Sequence, residues 1–233
     1  MAQAIQAVLL DALGTLVYFE PPAPHLRAAL RERHGIEVSD EAAEAAVRAE
    51  IAYYRAHLHQ GRDADSLADL RRRAAEVMRP ALGVDAPTGV LTDALLAALR
   101  FHAYPDAAPA LEALRARGVR RVVVSNWDHS LHERLEETGL APLVDGAVAS
   151  AEVGAAKPQR AIFDHALELA GVDAGAALHA GDSPEADAVG ALDAGLRAVL
   201  VARDGAAAAL PGVPVIASLA ELPELCEYPA GAR

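Results

Sequence analysis

The sequence predicts an α/β protein: a doubly wound parallel sheet with an all-helical domain inserted after its first strand. Three observations predict it. Short apolar runs recur along the chain, each bounded by turn residues, as strands buried on both faces are. Helical patterns fill most of the intervals between them, and that alternation builds a parallel sheet wrapped by helices. One long interval, 21–99, carries helical patterns and no convincing strand.

In chain order, Ala7 to Leu10 is the first strand. Four helical segments follow: Pro24 to His34, Asp40 to Gln60, Asp65 to Leu82 and Pro87 to Arg100. Gly35, Gly61 and Gly83 punctuate them, and Ser39-Asp40 offers an N-cap. Alternation then resumes. Arg121 to Ser125, Gly146 to Ser150, Ala176 to Ala180 and Arg197 to Val201 read as strands. Ala107 to Arg117, His129 to Thr138, Pro158 to Ala170 and Pro184 to Ala194 read as helices. Several close on a glycine (Gly118, Gly139, Gly171, Gly195), as C-capped helices do. The expected domains are an α/β core, 1–17 with 101–233, and a helical cap, 18–100, over the carboxyl end of the first strand.

The 233 residues are 53% apolar but only 4% aromatic, so alanine, leucine and valine must build the core of a globular chain. A formal net charge of −12 argues against nucleic acid as a partner, because phosphate backbones are bound by basic surfaces. The one basic run, Arg71-Arg72-Arg73, falls in a helical pattern and reads as a solvated face. A single cysteine, Cys226, excludes an intrachain disulfide framework. No secretory signal and no apolar stretch of membrane-spanning length are apparent. The expectation is a cytoplasmic protein without membrane partners, monomeric or homodimeric.

Four stretches carry chemistry, each at a strand end or a helix start. The first is Asp11 with Gly14-Thr15, and the second is Ser125-Asn126, closing a Val-Val-Val strand. The third is Lys157-Pro158, holding the only lysine among the 21 Lys and Arg residues. The fourth is Gly181-Asp182 with Asp187 five residues on. Singly, each has an ordinary explanation: a turn former, a helix cap, a solvated charge. Together they fall in order along the carboxyl edge of one inferred sheet, where ligands of open α/β sheets bind.

As an ordered set these stretches resemble the four motifs of the haloacid dehalogenase superfamily of hydrolases. They are matched here by Asp11-Ala-Leu-Gly-Thr15, Ser125-Asn126, Lys157-Pro158 and Gly181-Asp182 with Asp187. The likeness spans nearly the whole chain, since the helical insertion sits where the family carries a cap after its first motif. It implies a Rossmann-like core, with Asp11 and Lys157 as catalytic residues. It further implies Mg2+ held by Asp11, the Leu13 backbone carbonyl, Asp182 and Asp187. Hard oxygen ligands with room for water and a phosphate oxygen suit that ion. Thr15, Ser125, Asn126 and Trp127 are the expected substrate-binding residues, and the substrate class is a small phosphorylated metabolite. Asp128 and His129 are further candidates to face the substrate.

Leu13 departs from the family. Its phosphatases carry a second carboxylate two residues after the nucleophile, and that group works as general acid-base. Such help is worth roughly 10²–10⁴ in rate, so alkyl phosphates with poor leaving groups should suffer most. Two relatives do without the acid. The 2-haloacid dehalogenases expel halide and need no metal, but they do not keep the Gly-Asp pair present here as Gly181-Asp182. Phosphonoacetaldehyde hydrolases need a cap lysine, and none lies between Pro21 and Arg100. A catalytically weak phosphate-binding or interaction protein is the remaining alternative.

Overall fold

The computed structural model describes residues 4–205 and 210–226. Residues 1–3, 206–209 and 227–233, which the sequence reading assigns to the α/β core, lie outside the described residues. The chain forms two compact units, Met1–Tyr18 with Ala103–Arg233, and Phe19–His102.

Eight strands run along the described residues: β1 (Ala7–Leu10), β2 (Val17–Phe19), β3 (Phe101–Ala103), β4 (Arg120–Ser125), β5 (Gly146–Ala149), β6 (Ala177–Gly181), β7 (Arg197–Val201) and β8 (Val215–Ile216). Six of them make one sheet in the order β5-β4-β1-β6-β7-β8, every neighbouring pair parallel. The chain builds outward from β1 to β4 and β5, then crosses to the other side of β1 for β6. That reversal is the switch point of a doubly wound sheet, and it opens a crevice at the carboxyl ends of β1 and β6. Asp11 and Asp182 each follow the last residue of one of those two strands.

β1 lies between β4 and β6, so both of its edges are paired. All four of its residues are fully buried. Burying a leucine such as Leu9 or Leu10 contributes about 1.5–3 kcal/mol, which makes this strand the sheet's anchor. On one face, Leu9, Val122 and Val124 pack with Ile162, Phe163 and Ala166 of the helix Arg160–Ala170.

The helical unit contains Pro22–His34, Asp40–His57, Ala64–Glu76, Arg79–Leu82 and Thr88–Ala98. The expected N-cap is present, with Ser39 Oγ accepting the Ala42 N–H at 3.2 Å. Leu26, Leu30, Met78, Leu91 and Leu95 form this unit's own core.

Several elements differ from the sequence reading. The helix expected over 65–82 divides at Val77 and Met78. A proline inside a helix loses a hydrogen bond and clashes with the preceding turn, so Pro80 sits instead in the first turn of a new helix. Residues Pro184–Val189 form a wide π-type turn before the helix Gly190–Asp193. β5 stops at Ala149, and Ser150 opens a short helix. β2 and β3, not anticipated, pair with each other as a two-stranded ribbon. Among the described residues no helix is long and apolar enough to cross a membrane.

Candidate active site

The Asp11 N–H donates to Ala180 O of β6 at 2.9 Å, which places the residue where two central strands end. A tight loop follows. The Leu16 and Val17 N–H groups both donate to Ala12 O, at 2.8 and 2.9 Å, and the Gly14 N–H donates to Val17 O at 2.8 Å. Gly14 has φ +86°, and a Cβ there would overlap the Asp182 carboxylate. Only glycine combines that conformation with so close an approach.

Lys157 Nζ donates to Asp11 Oδ1 and to Asp187 Oδ1, both at 2.5 Å. Ser125 Oγ, at the end of β4, donates to the same Asp11 oxygen at 3.0 Å. Asp187 also accepts from His179 Nε2 and from the Ser183 N–H, each at 2.9 Å. The ionised carboxylate is acceptor-only, which assigns the proton to His179 Nε2. Carboxylate oxygens of Asp11, Asp182 and Asp187 lie within 4.8 Å of one another, with Asp182 the exposed member.

The electrostatics follow from burial. Desolvation pushes the Asp11 carboxyl above its ordinary range; Lys157 opposes that push, while Asp187 and Asp182 add to it. Burial acts on Asp187 too, but the Lys157 ammonium and the His179 hydrogen bond hold its carboxyl well below the usual range. Burial works against the charge on Lys157, and the two carboxylates outweigh it and hold the ammonium above its ordinary value. Asp182 is pushed up by burial and then by the charge of Asp187. Three carboxylates against one ammonium leave a net charge of −2 when all are ionised. An all-carboxylate oxygen set with that surplus fits a hard divalent cation such as Mg2+.

The structure brings Asp11, Ser125, Lys157, Asp182 and Asp187 together. Thr15 is fully buried beside them, and its Oγ1 has no hydrogen-bond partner among the described residues. Leu13 leaves its side chain 36% exposed on the loop after Asp11 and offers no acid or base. Two expected substrate contacts have other work in this structure. The Asn126 amide braces Lys157: its Oδ1 accepts the Lys157 N–H at 2.7 Å and its Nδ2 donates to Lys157 O at 2.9 Å. Trp127 is buried, and its indole N–H donates to Ser130 Oγ at 3.2 Å, so its ring packs rather than presenting a face. Asp128 is also buried, accepting the Ser130 N–H at 2.8 Å where the helix Leu131–Glu137 begins. His129 lies on Glu152, 2.6 Å from its Oε1. His179 was missed by sequence reasoning. Its one signal is a lone imidazole inside an apolar strand, three residues before Asp182.

The haloacid dehalogenase-like hydrolase family model matches residues 5–195. Pyrimidine 5'-nucleotidase YjjG of Escherichia coli K12 is 41% identical over 93 residues, covering 40% of this chain. The match spans only 41% of that relative's length. Among solved structures, a HAD phosphatase from Thermococcus onnurineus is 27% identical with a TM-score of 0.66, covering 97% of this chain and 100% of its own. A 2-haloacid dehalogenase from Pseudomonas syringae pv. Tomato DC3000 is 28% identical with a TM-score of 0.66, covering 95% and 97%. Asp11, Ser125, Lys157, Asp182 and Asp187 all lie inside the matched stretch, and the chain belongs to the haloacid dehalogenase-like hydrolases.

Proposed function

We propose that this hydrolase is a Mg2+-dependent phosphatase of small phosphorylated metabolites, with Asp11 as nucleophile. The observation that carries the reading is the meeting of Asp182 with the Lys157–Asp11–Asp187 cluster. A metal-independent dehalogenase has no use for a third carboxylate there. The nucleotidase and phosphatase relatives support the same reading.

An Asp11 carboxylate oxygen attacks phosphorus, and the bond from phosphorus to the leaving oxygen breaks. The product is an aspartyl-phosphate, which water hydrolyses to phosphate while restoring Asp11. Lys157 holds Asp11 in line and offsets the charge of the transferring group. Ser125 Oγ orients the same Asp11 oxygen. Bound Mg2+ at Asp11, Asp182 and Asp187, with the Leu13 carbonyl, would neutralise the remaining negative charge. Leu13 gives no proton to the leaving group, so the leaving oxygen takes one from water. Good leaving groups are therefore favoured. The helical unit, inserted directly after the nucleophile loop, is assigned the role of cap. The protein is read as cytoplasmic.

The test is hydrolysis of p-nitrophenyl phosphate with Mg2+. Activity that disappears with chelator and in Asp11→Asn supports the reading. Activity unchanged in Asp11→Asn ends it. Halide release from 2-chloropropionate that ignores chelator favours the dehalogenase alternative.

A further inference from the structure

Arg203 lies just beyond β7, outside the stretch the family model matches. Its guanidinium makes three kinds of contact at once. Nη2 donates to the backbone carbonyl of Thr15 at 2.6 Å, in the loop that follows Asp11. Nη1 donates to Asp106 Oδ2 at 3.1 Å, and Nη2 lies 3.0 Å from Asp106 Oδ1. The guanidinium carbon stands 3.6 Å from the centroid of the Tyr104 ring.

Each partner is itself fixed. Asp106 Oδ2 accepts from Ser218 Oγ at 2.7 Å and from the Leu219 N–H at 2.9 Å. Burial works against the Asp106 charge, but these donors and Arg203 hold its carboxyl below the ordinary range. The Tyr104 N–H donates to Leu16 O at 2.9 Å, and its ring packs on that of Tyr18 with centroids 5.0 Å apart. Tyr18 closes the first segment of the α/β unit, and Tyr104 lies one residue into the second. The nucleophile loop is thus held at two successive carbonyls, Thr15 and Leu16, by Arg203 and Tyr104.

We propose that Arg203 is a positioning residue for the nucleophile loop: it locks the turn 12–16 to the Asp106 anchor and to the Tyr104 ring. The proposal rests on Asp11 being the nucleophile. The geometry asks for arginine specifically. A planar fork reaches a carbonyl and a carboxylate together while its face stacks on a ring, and a lysine ammonium cannot do all three. Loss of the Thr15 bond would release the carbonyl side of a loop whose Gly14 must stay against Asp182. Displacement of a reacting group by about 1 Å costs on the order of 10²-fold in rate.

The test is hydrogen–deuterium exchange on the full chain, wild type against Arg203→Met and Arg203→Lys, followed by kinetics on p-nitrophenyl phosphate with Mg2+. The Leu16 and Val17 amides are expected to exchange roughly 10- to 100-fold faster in Arg203→Met, with Arg203→Lys intermediate. The exchange of β1 and β6 should stay unchanged. In the kinetics, kcat falls by about 10- to 100-fold while KM changes little. Unchanged exchange over 12–17 in Arg203→Met overturns the proposal, as does acceleration spread evenly over the sheet. Wild type without turnover but with the local exchange effect would sink the phosphatase reading and leave the positioning role standing. If Arg203→Met does not fold, Asp106→Asn removes the anchor's charge while keeping its shape. It should give a smaller effect at the same amides, and no effect there contradicts the proposal.

Discussion

Lys157 Nζ and Asp11 Oδ1 are 2.5 Å apart in a site where neither side chain is more than 9% exposed. A pair so placed is costly to break, because removing one partner leaves the other charge buried and uncompensated. Lys157→Met should therefore abolish turnover and destabilise the α/β unit by about 3–5 kcal/mol. Urea denaturation checks the second part, and a loss below about 1 kcal/mol would show that water already screens the pair.

Gly14→Ala makes a sharper demand on the geometry. It places a methyl group into the Asp182 carboxylate at a backbone φ of +86°. Strain of this kind costs on the order of 1–3 kcal/mol, and Asp182 has to move. The expected result is a lower melting temperature together with a Mg2+ half-saturation raised by roughly tenfold or more. Asp182→Asn should raise the same half-saturation with little effect on melting, since it removes a charge that Asp187 repels and keeps the side chain's shape. Titrating activity against Mg2+ for both variants separates strain from ligand loss.

These predictions draw on residues of very unequal legibility in the sequence. β1, β4, β6 and β7 are apolar runs closed by turn residues, and their period and length reveal them. β2, β3 and β8 are only two or three residues long, too short for alternation to register. Asp11, Lys157, Asp182 and Asp187 are readable because each stands at a strand end or helix start along one inferred sheet edge. The work of Asn126 is not, because its partner is a backbone 31 residues away rather than a side chain of recognisable type. His179 is hidden for a related reason. A polar residue inside an apolar strand reads as a flaw in the pattern until Asp187 folds back onto it.

Asn126→Ala tests that brace. Two hydrogen bonds to the Lys157 backbone disappear, each worth about 1 kcal/mol net. Stability should fall by about 2 kcal/mol, and kcat should fall with KM nearly unchanged. A rise in KM alone would instead identify Asn126 as a substrate contact.

Glu50 gives the helical unit a pH dependence. Its carboxyl is buried on the face of Asp40–His57 that also carries Ala43, Ala46 and Val47, and burial pushes its pKa up to about 7 from 4.5. A pKa raised on folding contributes stability that is complete below about pH 4.5 and is lost as pH rises through about 7. The full loss is about 3 kcal/mol at 1.36 kcal/mol per unit. Thermal melts from pH 4 to pH 8 should show the decline in wild type, most of it between about pH 4.5 and 7, and a flatter profile in Glu50→Gln. Identical profiles would mean that Glu50 is solvated in solution.

Leu13→Asp restores a carboxylate where the family's phosphatases use one as acid-base. The variant should gain on alkyl phosphates relative to p-nitrophenyl phosphate, by up to roughly 10²-fold. Equal ratios for both proteins across a leaving-group panel would show that proton donation is not what limits the wild type.

If Asp11 carries a phosphoryl group with Mg2+ bound, beryllofluoride should form the mimic of that state without turnover. Fluorine NMR of the wild type with Mg2+ should show a bound beryllofluoride species that is absent in Asp11→Asn and lost on adding chelator. No bound species in the wild type at saturating Mg2+, or the same species in Asp11→Asn, would contradict the account.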